Sequence, residues 1–239
     1  MEEKKAALVT GASSGIGKAI AYTLCALGYI VVGIGRTFAK EEMPDAFVPI
    51  ELDLMETQKL EQTVRILRKE YDFTVLVNNA GVGYYGLHEE LNAQKIRQMV
   101  RTNLEAPMIL TQLLLRDLKK HRGTIINISS VTAERSNPHG CAYGATKAGL
   151  SSFAHSLFDE ARKYGVRVIN IQPDMTNTNL YRHADFTCGE ETETHLEPKE
   201  VAETVAFILT RREGMVITDV TIEPQKVKIQ KKLKKENRP

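Results

Sequence analysis

The sequence has little that would support a secreted, metal-bound or membrane-spanning protein. Its three cysteines, Cys25, Cys141 and Cys188, are widely spaced and odd in number. They define neither a disulfide framework nor a metal site, so no metal is expected and a reducing cytoplasm is the expected compartment. No apolar run approaches the roughly 18 residues that a membrane span requires. The start, MEEKKAALVT, lacks the basic opening and longer apolar core of a signal peptide. The formal net charge is only +2 over 239 residues, too small for bulk electrostatics to imply a nucleic-acid partner.

What is present is ordinary globular composition, 42% hydrophobic and 26% charged, at a length that suits one α/β domain. Short β-branched runs alternate with amphipathic stretches. Strands are expected at 6–10, 29–35, 47–52, 74–79, 124–129, 166–171 and 215–222. Helices are expected at 15–27, 56–69, 93–118 (one long helix or a broken pair), 142–163 and 199–209. That alternation predicts a doubly wound, seven-stranded parallel sheet with helices on both faces. Residues 1–225 read as the single domain. Within it, the polar and weakly periodic stretch at about 178–197 reads as a mobile substrate loop. Residues 226–239 hold seven Lys or Arg and one Glu. They read as a solvated basic tail, or else as a contact for an acidic partner.

The first strand runs into TGASSGIG, Thr10 to Gly17, and a helix follows. This is the context of a dinucleotide turn, in which glycines let the backbone approach a pyrophosphate at a helix N-terminus. Gly11, Ser13, Ser14, Gly15, Ile16 and Gly17 are the candidate contacts, although similar turns also occur in βα units that bind nothing. The group that meets the adenosine ribose belongs about twenty residues later, at Gly35-Arg36-Thr37. No carboxylate stands there. An Arg favours a 2′-phosphate through charge-assisted hydrogen bonds, where an acid would repel it. NADP is therefore expected over NAD, with Ser13, Arg36 and Thr37 on the phosphate. The plainer alternative leaves Arg36 as a solvated loop residue.

Tyr143 and Lys147 stand four apart on an expected helix and share a face. A carbonyl that receives hydride must also receive a proton, and a phenol is a poor donor near neutrality unless its pKa is lowered. A neighbouring ammonium would lower it. Ser130, at a strand end, could donate to the same oxygen. Tyr-x-x-x-Lys pairs are common and usually structural, so the pair gains weight only from its neighbours in the sequence.

Taken together these motifs resemble the short-chain dehydrogenase/reductase family over nearly the whole chain. The matching positions are Thr10, Gly11, Gly15, Ile16 and Gly17, then Asp53, Asn78 to Gly81, Asn103, Ser130, Tyr143 and Lys147. The resemblance implies a catalytic set of Asn103, Ser130, Tyr143 and Lys147, with the Asn103 backbone binding a relay water. It implies Asp53 and Leu54 beside the adenine, Asn79, Ala80 and Gly81 along the adenosine ribose, and Tyr143 and Lys147 on a cofactor ribose. Pro173, Thr176 and Thr178 would enclose the nicotinamide. It also implies a homodimer or homotetramer. Two departures stand out. Pro173-Asp174 replaces the family's Pro-Gly, which raises the question of strain at Asp174. The ending TDVTIEPQ replaces Asp-Gly-Gly and is similar to a carbonyl-reductase-like or hydroxy-acid-dehydrogenase-like branch.

Tyr84, Tyr85, Leu180 and Tyr181 fall on loops at strand carboxyl ends, where ligands bind. With Ser130 and Tyr143 they are the candidate substrate contacts. His121, His139 and Cys141 read as loop or packing residues. The expected activity is NADP(H)-dependent hydride transfer between a carbonyl and a secondary alcohol in a small-molecule substrate. The alternative is a non-catalytic dinucleotide-binding sensor on the same fold.

Overall fold

A computed structural model describes residues 5–232. Among the described residues nine strands form: β1 (Ala6–Thr10), β2 (Ile30–Gly35), β3 (Phe47–Glu51), β4 (Phe73–Asn78), β5 (Thr124–Ile128), β6 (Arg167–Pro173), β7 (Phe186–Cys188), β8 (Asp219–Ile222) and β9 (Ile229–Lys231). The helices are α1 (Gly15–Ala26), α2 (Thr57–Glu70), α3 (Ala93–Val100), α4 (Ala106–His121), α5 (Cys141–Ala161) and α6 (Pro198–Leu209). Seven strands make one sheet in the order β3-β2-β1-β4-β5-β6-β8, and every pairing in it is parallel. No helix among the described residues is long and apolar enough to cross a membrane.

The central strands read as continuous apolar runs because both faces are covered. Successive residues point opposite ways. Leu8, Val32, Leu76 and Ile125 pack with Leu60, Leu110 and Leu157 from α2, α4 and α5. Val9, Val31, Val77 and Ile126 pack with Ile20, Leu24, Val201 and Val205 from α1 and α6. Each buried Leu or Val stabilises the fold by about 1.5–3 kcal/mol, which fixes the register of the sheet. The order in which strands are added reverses between β1 and β4, and a crevice opens at the carboxyl ends of the strands there.

Three expectations needed correction. The stretch at 93–118 is a broken pair, but its break is a π-helical turn, Arg101–Glu105, that joins α3 to α4, and α4 runs on to His121 rather than ending at 118. The last parallel strand begins at Asp219 rather than 215, because its ladder with β6 runs only from Asn170 to Pro173. The third concerns the tail. Residues 226–232 do not lie free. They carry β9, which pairs antiparallel with β7 of the expected substrate loop. Residues 233–239 of the tail lie outside the described residues.

Candidate active site

The glycine turn is held from behind by β4. The Asn79 Nδ2 group donates to the Thr10 carbonyl at 2.8 Å. The Thr10 hydroxyl accepts from the backbone N–H groups of Asn79 at 3.0 Å and Ala80 at 3.1 Å. Gly17 leaves the room that this arrangement needs. A Cβ there would fall 2.3 Å from both the Gly11 carbonyl oxygen and Asn79 Nδ2. Gly17 therefore packs helix against turn and does not line the cleft. Gly15 has φ +54°, a left-handed backbone at the entry to α1 that favours glycine. No side chain caps α1 at Ser14, so its first N–H groups are available to an anion.

Along the crevice, Gly11, Ser13, Ser14, Gly15, Ile16, Arg36, Asp53, Leu54, Asn79, Ala80 and Gly81 form one lining with Ser130, Tyr143, Lys147, Pro173, Thr176, Thr178, Leu180 and Tyr181. Gly81 lies beside Lys147: an added Cβ there would sit 3.7 Å from Lys147 Nζ, an ordinary contact distance. An exposed Arg at one end, uncapped helical N–H groups and a buried ammonium further along fit an elongated dinucleotide. Thr37, by contrast, is exposed and outside this lining. β2 ends at Gly35, and only Arg36 turns into the crevice.

At the chemical end, α5 carries Tyr143 and Lys147, both buried. Lys147 Nζ donates to the Ile128 carbonyl at 2.7 Å and lies 5.8 Å from the centroid of the Tyr143 ring. Burial lowers the Lys147 ammonium to about 8. Burial also pushes the Tyr143 phenol up to about 12, offset in part by the Ser130 hydroxyl. The expected lowering of the Tyr143 pKa by Lys147 is not what this arrangement gives. Desolvation is the largest cause there, and the Lys147 ammonium is directed at the Ile128 carbonyl. Ser130 Oγ accepts from the Thr132 N–H at 3.2 Å and from the Thr132 hydroxyl at 3.0 Å. Its own proton is left to donate toward the Tyr143 phenol, the contact that offsets the rise in the phenol's pKa.

Asn103 lies within the π-helical turn, fully buried and outside the cleft lining. Its Nδ2 donates to the Val82 carbonyl at 2.9 Å and to Thr146 Oγ1 at 3.0 Å, and its Oδ1 accepts from the Val82 N–H at 2.9 Å. This side chain ties the segment after β4 to α5. Thr146, which the sequence did not single out, donates back to the Tyr143 carbonyl at 2.7 Å.

Asp174 is not strained. Among the described residues, Arg122 and His139 are the non-glycine positions with positive φ. Asp174 Oδ1 accepts from the Met175 N–H at 2.8 Å, and a bridge between Thr176 and Leu196 anchors the loop that follows.

The expected aromatic wall is only partly a wall. Leu180 and Tyr181 line the cleft, whereas Tyr84 and Tyr85 do not. Tyr84 donates to Gln98 Oε1 at 2.6 Å and stacks on His183 at 5.2 Å. Tyr85 lies 5.7 Å from Tyr143, 5.9 Å from Tyr181 and 5.2 Å from Phe186 between ring centroids. It is a second layer beneath Tyr181, which roofs the cleft, and Phe186 packs against both from outside the lining. Burial pushes the phenols of Tyr85 and Tyr181 far above their ordinary value. Gln98, Thr102, Asn179 and Arg182 also line the cleft. Asn179 and Arg182 fall within the expected substrate loop, whereas Gln98 and Thr102 lie on α3 and the turn after it, where no sequence signal marked them.

With this geometry in place, the comparisons with known proteins agree on the family. The short chain dehydrogenase profile matches residues 5–187, and the chain belongs to that family. It is 32% identical to the 3-oxoacyl-(acyl-carrier-protein) reductase of Vibrio cholerae over 233 residues, covering 92% of this chain and 95% of the relative. It is 29% identical to the NADP-dependent 3-hydroxy acid dehydrogenase of Schizosaccharomyces pombe over 240 residues, 92% of each. The alcohol dehydrogenase of Thermococcus sibiricus, solved with 5-hydroxy-NADP, superposes with a TM-score of 0.83 at 27% identity, over 93% of this chain and 97% of that one.

Proposed function

We propose that the protein is an NADP(H)-dependent oxidoreductase that interconverts a carbonyl and a secondary alcohol, with Tyr143 as the proton donor. The observation that carries this reading is the convergence of Ser130, Tyr143 and Lys147 in the cleft that begins at the uncapped glycine turn. A bound nicotinamide supplies the hydride in reduction and takes it up in oxidation. Tyr143 gives its phenolic proton to the carbonyl oxygen as charge develops there. The Ser130 hydroxyl donates a hydrogen bond to that oxygen and lowers the cost of its charge. Lys147, with a pKa of about 8, is mostly protonated at pH 7 and holds a proton beside the phenol. Asn103 acts by positioning, because its side chain is consumed in holding α5 and the segment after β4 together.

Arg36, with no carboxylate at Gly35 or Thr37, favours the 2′-phosphate of NADP. The Vibrio relative's name points to a 3-oxoacyl thioester and the Schizosaccharomyces relative's to a 3-hydroxy acid, so 3-oxo compounds head the candidate substrates. A homodimer or homotetramer in the cytoplasm is the assembly and setting that go with this reading, and light scattering on the purified chain would test the assembly. The function itself is tested by NADPH consumption across ketones, aldehydes, 3-oxoacids and 3-oxoacyl thioesters. Turnover of at least one class is expected. Tight NADPH binding without turnover of any would favour a dinucleotide sensor instead.

A further inference from the structure

The geometry points to the C-terminal segment 226–232 as an intramolecular strap that holds the roof of the substrate pocket closed, with Lys232 as its main positioning residue. The segment alternates. Lys226, Lys228, Gln230 and Lys232 all face the loop over the cleft, as the period of two in an extended strand requires. Lys226 pairs with Glu193, Lys228 pairs with Glu191 at 2.6 Å, and Gln230 donates to Glu190 at 3.1 Å. Lys232 Nζ donates to the carbonyl oxygens of Tyr181 at 2.5 Å and Ala184 at 3.0 Å. The intervening Val227 and Ile229 point outward, 83% and 57% exposed. Charge and backbone pairing on the other face therefore hold this strand, rather than burial.

The loop that the strap grips is the one that carries the roof. Tyr181 and Phe186 lie 5.5 Å apart between centroids and both rest on Tyr85, which rests on Tyr143. Lys232 ties together the two carbonyls that bracket residues 181–184, so its ammonium fixes where the Tyr181 ring begins. Strap closure thus sets the space available above Tyr143. It favours compact substrates and excludes bulky ones. Because its ion pairs are exposed, screening loosens it.

The assignment of this loop to substrate rests on the reading under Proposed function, and the test separates the two. The double reversal Lys226→Glu/Lys228→Glu, the single change Lys232→Ala, and the charge swap that adds Glu191→Lys/Glu193→Lys to the reversal are compared with the wild-type chain. Hydrogen exchange over residues 181–193 reads the strap without any turnover. It is expected to quicken about tenfold in the reversal and in Lys232→Ala, and to recover in the swap and in Lys232→Arg. With a carbonyl that the wild-type chain reduces, KM is expected to rise about tenfold in the reversal, with kcat within about twofold, and discrimination against bulky analogues to narrow. Unchanged exchange in the reversal, or exchange and KM that fail to recover in the swap, would overturn the strap. A wild-type chain that reduces no carbonyl would defeat the functional reading alone, and exchange would still decide whether the strap holds.

Discussion

The two halves of the cleft are held by different forces. The cofactor half is backbone held by part-buried hydrogen bonds: Thr10 and Asn79 pin the glycine turn, and Gly17 admits Asn79 where no Cβ could fit. The substrate half is aromatic rings on a loop, gripped by a strand whose ion pairs are at least half exposed. Buried hydrogen bonds cost 1–3 kcal/mol each when one partner is removed, whereas exposed ion pairs are worth 0–1 kcal/mol. The half proposed to position a dinucleotide is therefore rigid, and the half proposed to choose a substrate is adjustable.

The contrast can be broken first at Lys147, which sits between the halves. Lys147→Met is expected to lower kcat by about a thousandfold, the upper part of the range for acid-base groups, with folding intact by circular dichroism. The same variant carries a stability signature. Lys147 falls from 10.5 in the ordinary case to about 8 in the fold, so burying its charge destabilises the fold fully below pH 8. That cost is relieved as pH rises through 10.5. Wild type should thus gain about 2 kcal/mol on Lys147→Met between pH 7.5 and 9.5 in urea unfolding. Tyr143 works the other way. Its phenol is raised from 10.0 to about 12, so its contribution is intact below pH 10 and is lost as pH climbs toward 12.

On the rigid side, Gly17→Ala forces its methyl onto the Gly11 carbonyl and Asn79. It should cost about 2–3 kcal/mol of stability and weaken NADPH binding. The comparable change on the adjustable side, Glu191→Ala, should cost less than about 1 kcal/mol. Similar costs at the two sites would remove the distinction. Arg36→Asp sharpens it further. NADPH should bind about thirtyfold more weakly and NADH somewhat better, a loss of about 2 kcal/mol from one charge-assisted contact. Equal wild-type affinities for the two cofactors would rule out the preference. The remaining effect expected is on direction. Alcohol oxidation needs Tyr143 ionised, so its rate should rise with pH from 7 to 9 while reduction stays nearly flat, read from initial rates in both directions.

The same contrast explains what the sequence disclosed. Apolar runs and helical spacing placed the seven parallel strands and the helices around them, because those elements are fixed by burial of their own residues. Gly11, Gly15, Tyr143 and Lys147 stood out because backbone geometry and chemistry narrow the choice of residue there. β7 and β9 were hidden. Each has three residues, too few for a period, and their partners lie about forty positions apart, as Lys228 and Glu191 do. The stretch at about 178–197 read as a mobile substrate loop and the tail as a separate basic segment, and nothing local to either showed that the fold pairs them. The π-helical turn at Asn103 and the roles of Thr146 and Tyr85 depend on contacts between elements, which no local pattern encodes. The Tyr143 pKa was misjudged for the same reason: helical spacing brings Lys147 near but says nothing of how deeply both are buried.

The most direct test measures turnover and cofactor binding on one sample of Tyr143→Phe, using a carbonyl that the wild-type chain reduces. The account predicts that kcat falls about a thousandfold while the NADPH dissociation constant, read by cofactor fluorescence, stays within about threefold. Wild-type turnover in Tyr143→Phe would contradict it.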